Sequence, residues 1–403
     1  MGKNKFKRLS GIRRLPRGKF GSSLKRSNAA PFLALLGIIL ALLAVAALVI
    51  YVLLPAVMPY FGREYYPPLV PTPTPEPTPR PTPTPHPMES FEPFEGATEV
   101  VIDGTDYRWF ADPYFYDGTI VFSGGYLVDG DVRLNTLFMY DALDGTYEQF
   151  DYTPAYDHLF YPQLNEDWLV LLDAGAAGGG QIVAFDRHSS SNTPIIVKDV
   201  YVGQPEIKLD GNYLVWTERT GTRMDKLFVC DLTTLETTTL AMFQNSVFGQ
   251  SIPSSMNGLI VWAVSDTALE DEDSNAVISY IRINGGSMQS FAPGTYVHDP
   301  EGNGAYFCWL DSHHAQGAKL YAAKGPTDPF LVAEDVTEFA LFNDYVVYGV
   351  GETVWLHSFT TGEKYQLTPD DKAAQFIGVS NGMAFWMNVS ARGRDIIEYL
   401  ALP

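Results

Sequence analysis

Between residues 118 and 386 the sequence repeats a short apolar run that follows a turn and ends in a bulky side chain. Successive run ends stand 49, 45, 46, 47, 39 and 38 positions apart. The seven copies end at Phe122, Leu171, Trp216, Trp262, Trp309, Tyr348 and Trp386. Short apolar runs that recur at this period, with turns between them, predict an array of four-stranded antiparallel units.

Each copy continues in the same way after its first run. A second apolar run follows, such as Leu227–Asp231, and then a polar Thr-rich run such as Leu232–Ala241. This order predicts buried inner strands and a solvated outer strand. The unassigned run Ala97–Ile102 precedes the first copy, and pairing it with the end of the chain would remove two open sheet edges. The sequence thus predicts an all-β fold, a seven-bladed β-propeller closed by pairing of both domain termini.

The second run often ends in aspartate, as at Asp141, Asp186 and Asp231. In this respect residues 97–403 resemble the TolB-type and WD-repeat-like bacterial propellers. The chain departs from that pattern because no Trp-Asp dipeptide marks the units, and other copies carry different residues at the same place: Arg282, Lys324, Ser358 and Leu400. The resemblance implies a propeller that serves as a binding platform, and fold alone assigns no activity.

An uncharged apolar segment of 23 residues runs from Phe32 to Leu54. It is long enough to cross the roughly 30 Å of hydrocarbon in a bilayer. Ten Lys and Arg residues and no acid precede it, so the positive-inside rule places the N-terminus in the cytoplasm. The alternative is a cleaved signal peptide, whose apolar region is usually about 7–15 residues long. The segment therefore predicts a single-pass signal anchor preceding the propeller.

Every second residue from Pro71 to Pro87 is proline. Such a run favours polyproline II and acts as a semi-rigid spacer. We therefore expect four parts: residues 1–28 as a basic cytoplasmic tail, 29–58 as a transmembrane helix, 59–96 as a Pro/Thr-rich stalk, and 97–403 as the propeller. The predicted location is the cell membrane, with the propeller outside the cytoplasm. The stalk and the lack of disulfides favour a bacterium, and a Gram-positive one, while a eukaryotic type II membrane protein is the alternative.

Charge is divided unevenly along the chain. Residues 63–403 hold 17 basic and 47 acidic side chains. Such a body is unsuited to nucleic acid, whose non-specific binding depends on Lys and Arg, and it favours cations or basic partners. The two cysteines, Cys230 and Cys308, lie in apolar runs of different copies, which predicts two buried thiols and no disulfide.

Five long loops follow the first runs of the first five copies and are expected on one face. Long loops on a rigid scaffold are where binding residues concentrate. Adjacent histidines in the fifth loop suggest a metal site, but no further ligand spacing supports one, so we predict no metal. We also predict no catalytic residue and no cofactor. The residues predicted for a ligand- or partner-binding face are Asp129, Asp131, Glu218, Asp225, Asp266, Asp311, His313 and His314.

The predicted function is a membrane-anchored, extracytoplasmic module that binds an envelope or extracellular protein or glycan. The predicted protein is a monomer that does not bind nucleic acid. One alternative is an envelope polysaccharide lyase or hydrolase with its site on the long-loop face, which would require His313, His314 and loop acids to converge. Another is a transmembrane sensor that signals through the basic tail.

Overall fold

Beyond residue 107 the described part of the chain consists mainly of strands joined by turns and short loops. The computed structural model describes residues 49, 91–93, 96–102, 107–221, 224–244, 252–265, 276–312, 317–390 and 394–403, and all structural statements below concern these residues. They form 28 strands.

The first fourteen strands are β1 (Phe91–Pro93), β2 (Thr98–Glu99), β3 (Trp109–Tyr116), β4 (Thr119–Val128), β5 (Asp131–Asp141), β6 (Tyr147–Gln149), β7 (His158–Leu164), β8 (Trp168–Ala174), β9 (Gly180–Asp186), β10 (Ile195–Val200), β11 (Ile207–Asp210), β12 (Tyr213–Gly221), β13 (Met224–Asp231) and β14 (Glu236–Gln244).

The remaining strands are β15 (Ser254–Met256), β16 (Leu259–Ser265), β17 (Ala276–Arg282), β18 (Gln289–Gly294), β19 (Val297–Gly302), β20 (Tyr306–Asp311), β21 (Ala318–Lys324), β22 (Thr327–Phe342), β23 (Tyr345–Val350), β24 (Thr353–Ser358), β25 (Lys364–Gln366), β26 (Ala374–Ser380), β27 (Met383–Asn388) and β28 (Ile397–Ala401).

These strands form six sheets. Sheets I to IV each contain four consecutive antiparallel strands, β3–β6, β7–β10, β11–β14 and β15–β18. Sheet V contains eight strands, β19–β25 and β1, and sheet VI contains β26–β28 and β2. The first strands of sheets I to V contact one another in order, β22 of sheet V contacts β26 of sheet VI, and β26 contacts β3, so the sheets surround a central channel.

The prediction of seven four-stranded blades is wrong. Five sheets are four-stranded blades, whereas the fifth and sixth copies of the repeat share the eight-stranded sheet V. The cause is β22, which runs without interruption for 16 residues. It pairs with β21 as far as Val336 and with β23 from Val336 onward. No loop separates the outer strand of the fifth copy from the inner strand of the sixth, so hydrogen bonding continues between them.

The predicted transmembrane helix at 29–58 is not found among the described residues. Of that range the structure describes only Val49. No helix in the described part of the chain is long and apolar enough to cross a membrane. The basic tail and most of the stalk likewise lie outside the described residues.

The two ends of the propeller region pair with each other. Thr98 lies opposite Tyr399 and Glu99 opposite Glu398. The N–H of Val100 also donates to the carbonyl of Ile397 at 2.8 Å. As the sequence indicated, a strand near residue 97 therefore covers the edge of the last strand, which would otherwise be open.

The apolar runs of the repeat form the second strand of each unit and are buried between sheets. Trp216, Trp262, Trp309 and Trp386 are at most 1% exposed. Their burial confirms that they pack in the core, where large aromatic side chains contribute most of the buried area. Cys230 and Cys308 are also buried and unpaired, as predicted.

Candidate functional site in the central channel

The channel is lined by the innermost strand of each sheet, which directly precedes the apolar run in the sequence. In β11 the side chains of Ile207 and Leu209 are buried in the core. Because side chains alternate across a strand, Glu206, Lys208 and Asp210 point to the opposite face. The first two of these line both channel cavities described below. Strand alternation thus places charged side chains in the channel.

Three innermost strands carry a bulge at a residue followed by proline. The ladder register shifts between Ala111 and Tyr114, between Phe160 and Gln163, and between His298 and Glu301. Proline cannot donate to the ladder, so it occupies the bulge. The residue before each proline has a left-handed φ, of 53°, 51° and 46°. These dipeptides are Asp112-Pro113, Tyr161-Pro162 and Asp299-Pro300.

The bulges are used to join neighbouring sheets. The carboxylate of Asp112 accepts a hydrogen bond from the N–H of Tyr161 at 2.8 Å. That of Asp299 accepts from the N–H of Ile252 at 3.0 Å. Between sheets II and III, the Gln163 amide donates to the carbonyl of Ile207 at 2.6 Å and accepts from the N–H of Leu209 at 2.7 Å. The wall of the channel is therefore held together by side chains.

Two cavities occupy the channel. One, of about 350 Å³, is bordered by Ser312, which follows β20, and by Ala318, the first residue of β21. The other, of about 780 Å³, is bordered by the turns between first and second strands, including Asn257 and Asn343. Both are lined by Glu206, Lys208, Ser254, Glu301 and Glu338. These five residues therefore lie between the cavities, and we call them the channel cluster.

Lys208 is the cation of the channel cluster. Its Nζ forms an ion pair with a carboxylate oxygen of Glu206. Burial lowers the pKa of Lys208, but the charge of Glu206 and the hydrogen bond to it outweigh burial, so the pKa lies above its ordinary value. Glu301 and Glu338 raise that pKa further. Lys208 therefore remains an ammonium group, which is neither a base nor a nucleophile at neutral pH.

The other carboxyl groups in the channel hold their protons unusually well. Burial raises the pKa of Glu301 to about 7, although Lys208 lowers it. The pKa of Glu338 is also raised to about 7, first by burial and then by the negative charge of Asp299. Burial raises the pKa of Asp112 to about 6, against the hydrogen bond from Tyr161. Several carboxyl groups near the Lys208 ammonium thus have pKa values close to neutral pH.

The residues predicted from the long loops do not form this site. Asp129 and Asp131 are exposed at the turn between β4 and β5. Three others, Glu218, Asp225 and Asp311, lie in sheets III and V. None of the five lines either channel cavity. Asp266, His313 and His314 lie outside the described residues.

Three of the predicted acids hold protein groups in place. Glu218 accepts a hydrogen bond from the indole N–H of Trp216 at 2.8 Å. Asp225 is fully buried and lies 3.7 Å from the guanidinium of Arg219. Asp311 is 8% exposed and accepts from the N–H of Tyr296 at 3.0 Å. In the described structure these three acids contact neighbouring protein groups, and their part in binding stays a prediction.

The sequence prediction does not include the channel cluster, because it places the binding residues in the loops that follow the apolar runs. A signal was present in the segments just before the runs. There, charged residues alternate with apolar ones from Glu206 to Asp210, and acids flank proline in Asp299-Pro300-Glu301. In a ring of sheets, the strand that precedes the buried one is the strand that lines the axis.

Comparison with known proteins identifies the fold. No family model matches the sequence, and no curated protein matches it. Among solved structures, the propeller domain of the Trilobed protease from Pyrococcus furiosus aligns with a TM-score of 0.57 at 11% identity, covering 73% of this chain and 93% of that one. The fold is a β-propeller.

Acylaminoacyl peptidase from Pyrococcus horikoshii aligns with a TM-score of 0.55 at 12% identity, covering 73% of this chain and 52% of that enzyme. This chain therefore matches about half of that enzyme's length. An oligogalacturonate lyase in complex with manganese aligns with a TM-score of only 0.49 at 12% identity, covering 71% of this chain and 86% of that one. At these identities the likeness concerns the fold alone.

The channel cluster has the composition of a binding site for a charged group. Carboxyl groups near their titration point can accept hydrogen bonds from a cation or act as proton donors. No group of three or more Asp, Glu, His or Cys residues in the described part of the chain is placed to hold a metal ion.

Proposed function

We propose that this protein is a binding module of the bacterial cell envelope, akin to the TolB-type propellers, which takes a protein ligand at the channel face. The channel cluster is the observation that carries this proposal. Glu206, Lys208, Glu301 and Glu338 come from two sheets and line cavities on both sides. Charged groups on the strands of a rigid scaffold are held more precisely than groups on loops.

A protein ligand is favoured over a glycan by the charge of the chain. The body of the chain carries 47 acids against 17 basic residues from residue 63 onward. Such a surface attracts basic partners and raises the rate of their encounter.

Residues 1–96 support a place at the membrane. Phe32–Leu54 is apolar and uncharged, the preceding tail is basic, and every second residue from Pro71 to Pro87 is proline, a pattern that favours an extended spacer. In this proposal the apolar segment attaches the chain to the cell membrane with its N-terminus in the cytoplasm. The propeller then faces the outside as a monomer at the cell surface.

Site-specific photocrosslinking in intact cells tests this function. A photoreactive amino acid at Asn257, which borders the wide cavity, is expected to yield a covalent adduct that protease digests. The same group at Thr238, on the exposed outer strand β14, is the matched control and should yield none. Adduct at Asn257 should disappear when Glu338→Gln is added. Equal labelling from both positions, or none from Asn257, would refute a protein ligand at the channel, and an adduct digested only by glycan hydrolases would replace it with a glycan.

A second candidate function is an envelope hydrolase, favoured by one observation. Glu301 and Glu338 both have a pKa of about 7 beside a cavity, which suits a general acid. An active enzyme would release reducing ends from purified envelope polysaccharide, and Glu301→Gln would abolish that release. Absence of release from the full-length protein, in the presence and absence of divalent metal, would remove this candidate.

A further inference from the structure

One carboxylate of the channel cluster has no counterpart. Glu206 pairs with Lys208, and Glu301 accepts a hydrogen bond from the N–H of Leu341. Glu338 lines both cavities with its side chain exposed to solvent, and among the described residues it has neither a hydrogen bond nor an ion pair. A carboxylate offers about four acceptor positions, so the middle of the channel has acceptors to spare.

A hydroxyl group beside these acids is also unsatisfied. Ser254 is 7% exposed, and its Oγ is buried without a hydrogen-bond partner. Ser254 lines both cavities together with Glu301 and Glu338. A buried polar group without a partner is unfavourable, and a bound ligand that supplies a hydrogen bond would relieve that cost. The missing hydrogen bond of the Ser254 hydroxyl is independent of whether the nearby carboxyl groups are ionised.

The carboxylate of Glu338 and the hydroxyl of Ser254 indicate which class of ligand the channel binds. A small metal ion needs ligands that converge on one point, and the described acids do not converge in that way. A guanidinium group instead spreads five N–H donors over a plane and loses hydration more easily than an ammonium group. We propose that the channel cluster binds the guanidinium group of an arginine side chain, with Glu338 and Glu301 as its carboxylate partners and Ser254 as a hydroxyl partner. This inference rests on the proposed binding function and identifies the group that the channel recognises.

Binding of a cation here is coupled to loss of protons. An arriving positive charge favours the ionised forms of Glu301 and Glu338, which are partly protonated near pH 7. Their titration is set by burial and by the charged groups around them, which are Glu206 and Lys208 of sheet III and Asp299 of sheet V. Arginine binding should therefore release protons at neutral pH and release fewer at higher pH, where both groups are already ionised.

Isothermal titration of the full-length protein in detergent tests the inference. The probe is N-acetyl-arginine amide, whose only charge is the guanidinium, and the control ligand is the uncharged isostere N-acetyl-citrulline amide. We expect the arginine probe to bind at least about tenfold more tightly than the citrulline probe. Titration in buffers of different ionisation enthalpy should show proton release at about pH 7 that declines by about pH 9.

Variants separate the named partners from the general acidity of the protein. Glu338→Gln and Ser254→Ala should each weaken the arginine probe at least about threefold, whereas Glu148→Gln, an exposed acid on the outer strand β6, should not. Equal affinity for arginine and citrulline probes, equal affinity for N-acetyl-lysine amide, or an equal loss in Glu148→Gln would overturn the inference. If no probe binds while photocrosslinking at Asn257 still yields its adduct, the guanidinium assignment fails and the binding function stands.

Discussion

Asp112 in the innermost strand of sheet I accepts a hydrogen bond from the backbone N–H of Tyr161 in sheet II, at 2.8 Å. Both residues have a left-handed φ and precede a proline at a bulge. A bulge leaves backbone groups outside the ladder, and the carboxylate of the neighbouring sheet supplies the missing partner. Asp299, also at a bulge, accepts a hydrogen bond from the N–H of Ile252 in the same way. Aspartates at bulges therefore link neighbouring sheets of the ring.

Removing the junction should destabilise the propeller. Asp112→Ala deletes the acceptor for Tyr161 and is expected to lower the free energy of unfolding by about 1–3 kcal/mol. Asp112→Asn keeps an acceptor oxygen and tolerates left-handed backbone, so it should cost less than half as much. Equilibrium unfolding in urea measures both. Asp117→Ala is the control, because Asp117 is exposed and also has a positive φ of 44°. An equal loss in Asp112→Ala and Asp117→Ala would assign the effect to backbone strain alone.

The partly buried carboxyl group of Glu301 should make stability depend on pH. Its pKa is raised from 4.5 to about 7, so the folded state binds the proton more tightly than the unfolded state does. Stability contributed by that proton is present below about pH 4.5 and is lost as the pH rises through about 7. Glu301→Gln keeps an acceptor for Leu341 and cannot ionise. Relative to wild type, it should gain up to about 3 kcal/mol of unfolding free energy between about pH 5 and about pH 8.

Urea unfolding at a series of pH values checks this expectation. Glu148→Gln, which removes an exposed acid on the outer strand β6, is the control and should run parallel to wild type. If Glu301→Gln also runs parallel to wild type over this range, Glu301 is ionised in the folded protein. That result would also remove the contribution of Glu301 to the proton release expected on arginine binding, leaving only that of Glu338.

The sequence predicted the ring of sheets because the period of the apolar runs reflects burial between neighbouring sheets. Trp216 and Trp386 are each fully buried at the end of a run. The pairing of residues near Thr98 with the last strand followed from an unpaired apolar run at each end. The number of blades was predicted wrongly, because the number of runs does not show whether one outer strand continues into the next inner strand. That continuity in β22 depends on a missing turn.

The site could not be predicted in the same way. Loop length suggested Asp311 as a binding residue, but its carboxylate is used by the N–H of Tyr296. Short inner strands such as β11 contain too few residues for the alternation of charged and apolar side chains to be recognised in the sequence. In addition, Lys208 and Glu301 interact although they are far apart in the chain. Only the closed ring brings them to one axis.

The acids at the ends of the buried strands should affect folding and not binding. Asp173 accepts from the hydroxyl of Tyr152 at 2.6 Å and from the N–H groups of Ala155 and Tyr156 at 2.7 and 3.0 Å. Asp311 occupies the corresponding position in sheet V and accepts from Tyr296. Asp173→Ala should therefore lose more stability than Asp311→Ala, for which we expect about 1–3 kcal/mol.

Urea unfolding ranks these two variants, and photocrosslinking at Asn257 reports binding. Adduct yield from folded protein should be unchanged in both, because neither residue lines the channel cavities. Loss of adduct in a stably folded Asp311→Ala protein would show that Asp311 takes part in binding, as its place beside a long loop predicted.

Closure of the ring depends on a very short strand, and adjacent residues on its extension offer a matched test. Ile102 is 1% exposed, whereas Val101 beside it is 46% exposed. Ile102 packs in the cluster that includes Phe122 and Tyr399, and so links the start of the domain to its first and last sheets. Ile102→Ala should lower the free energy of unfolding by about 2–5 kcal/mol, and Val101→Ala by no more than about 0.5 kcal/mol.

Loosening this segment also uncovers the edge of β28, and open edges pair with other chains. Light scattering should therefore show concentration-dependent association of Ile102→Ala but not of Val101→Ala; equal stability and equal scattering of the two would mean that the ring stays closed without this contact.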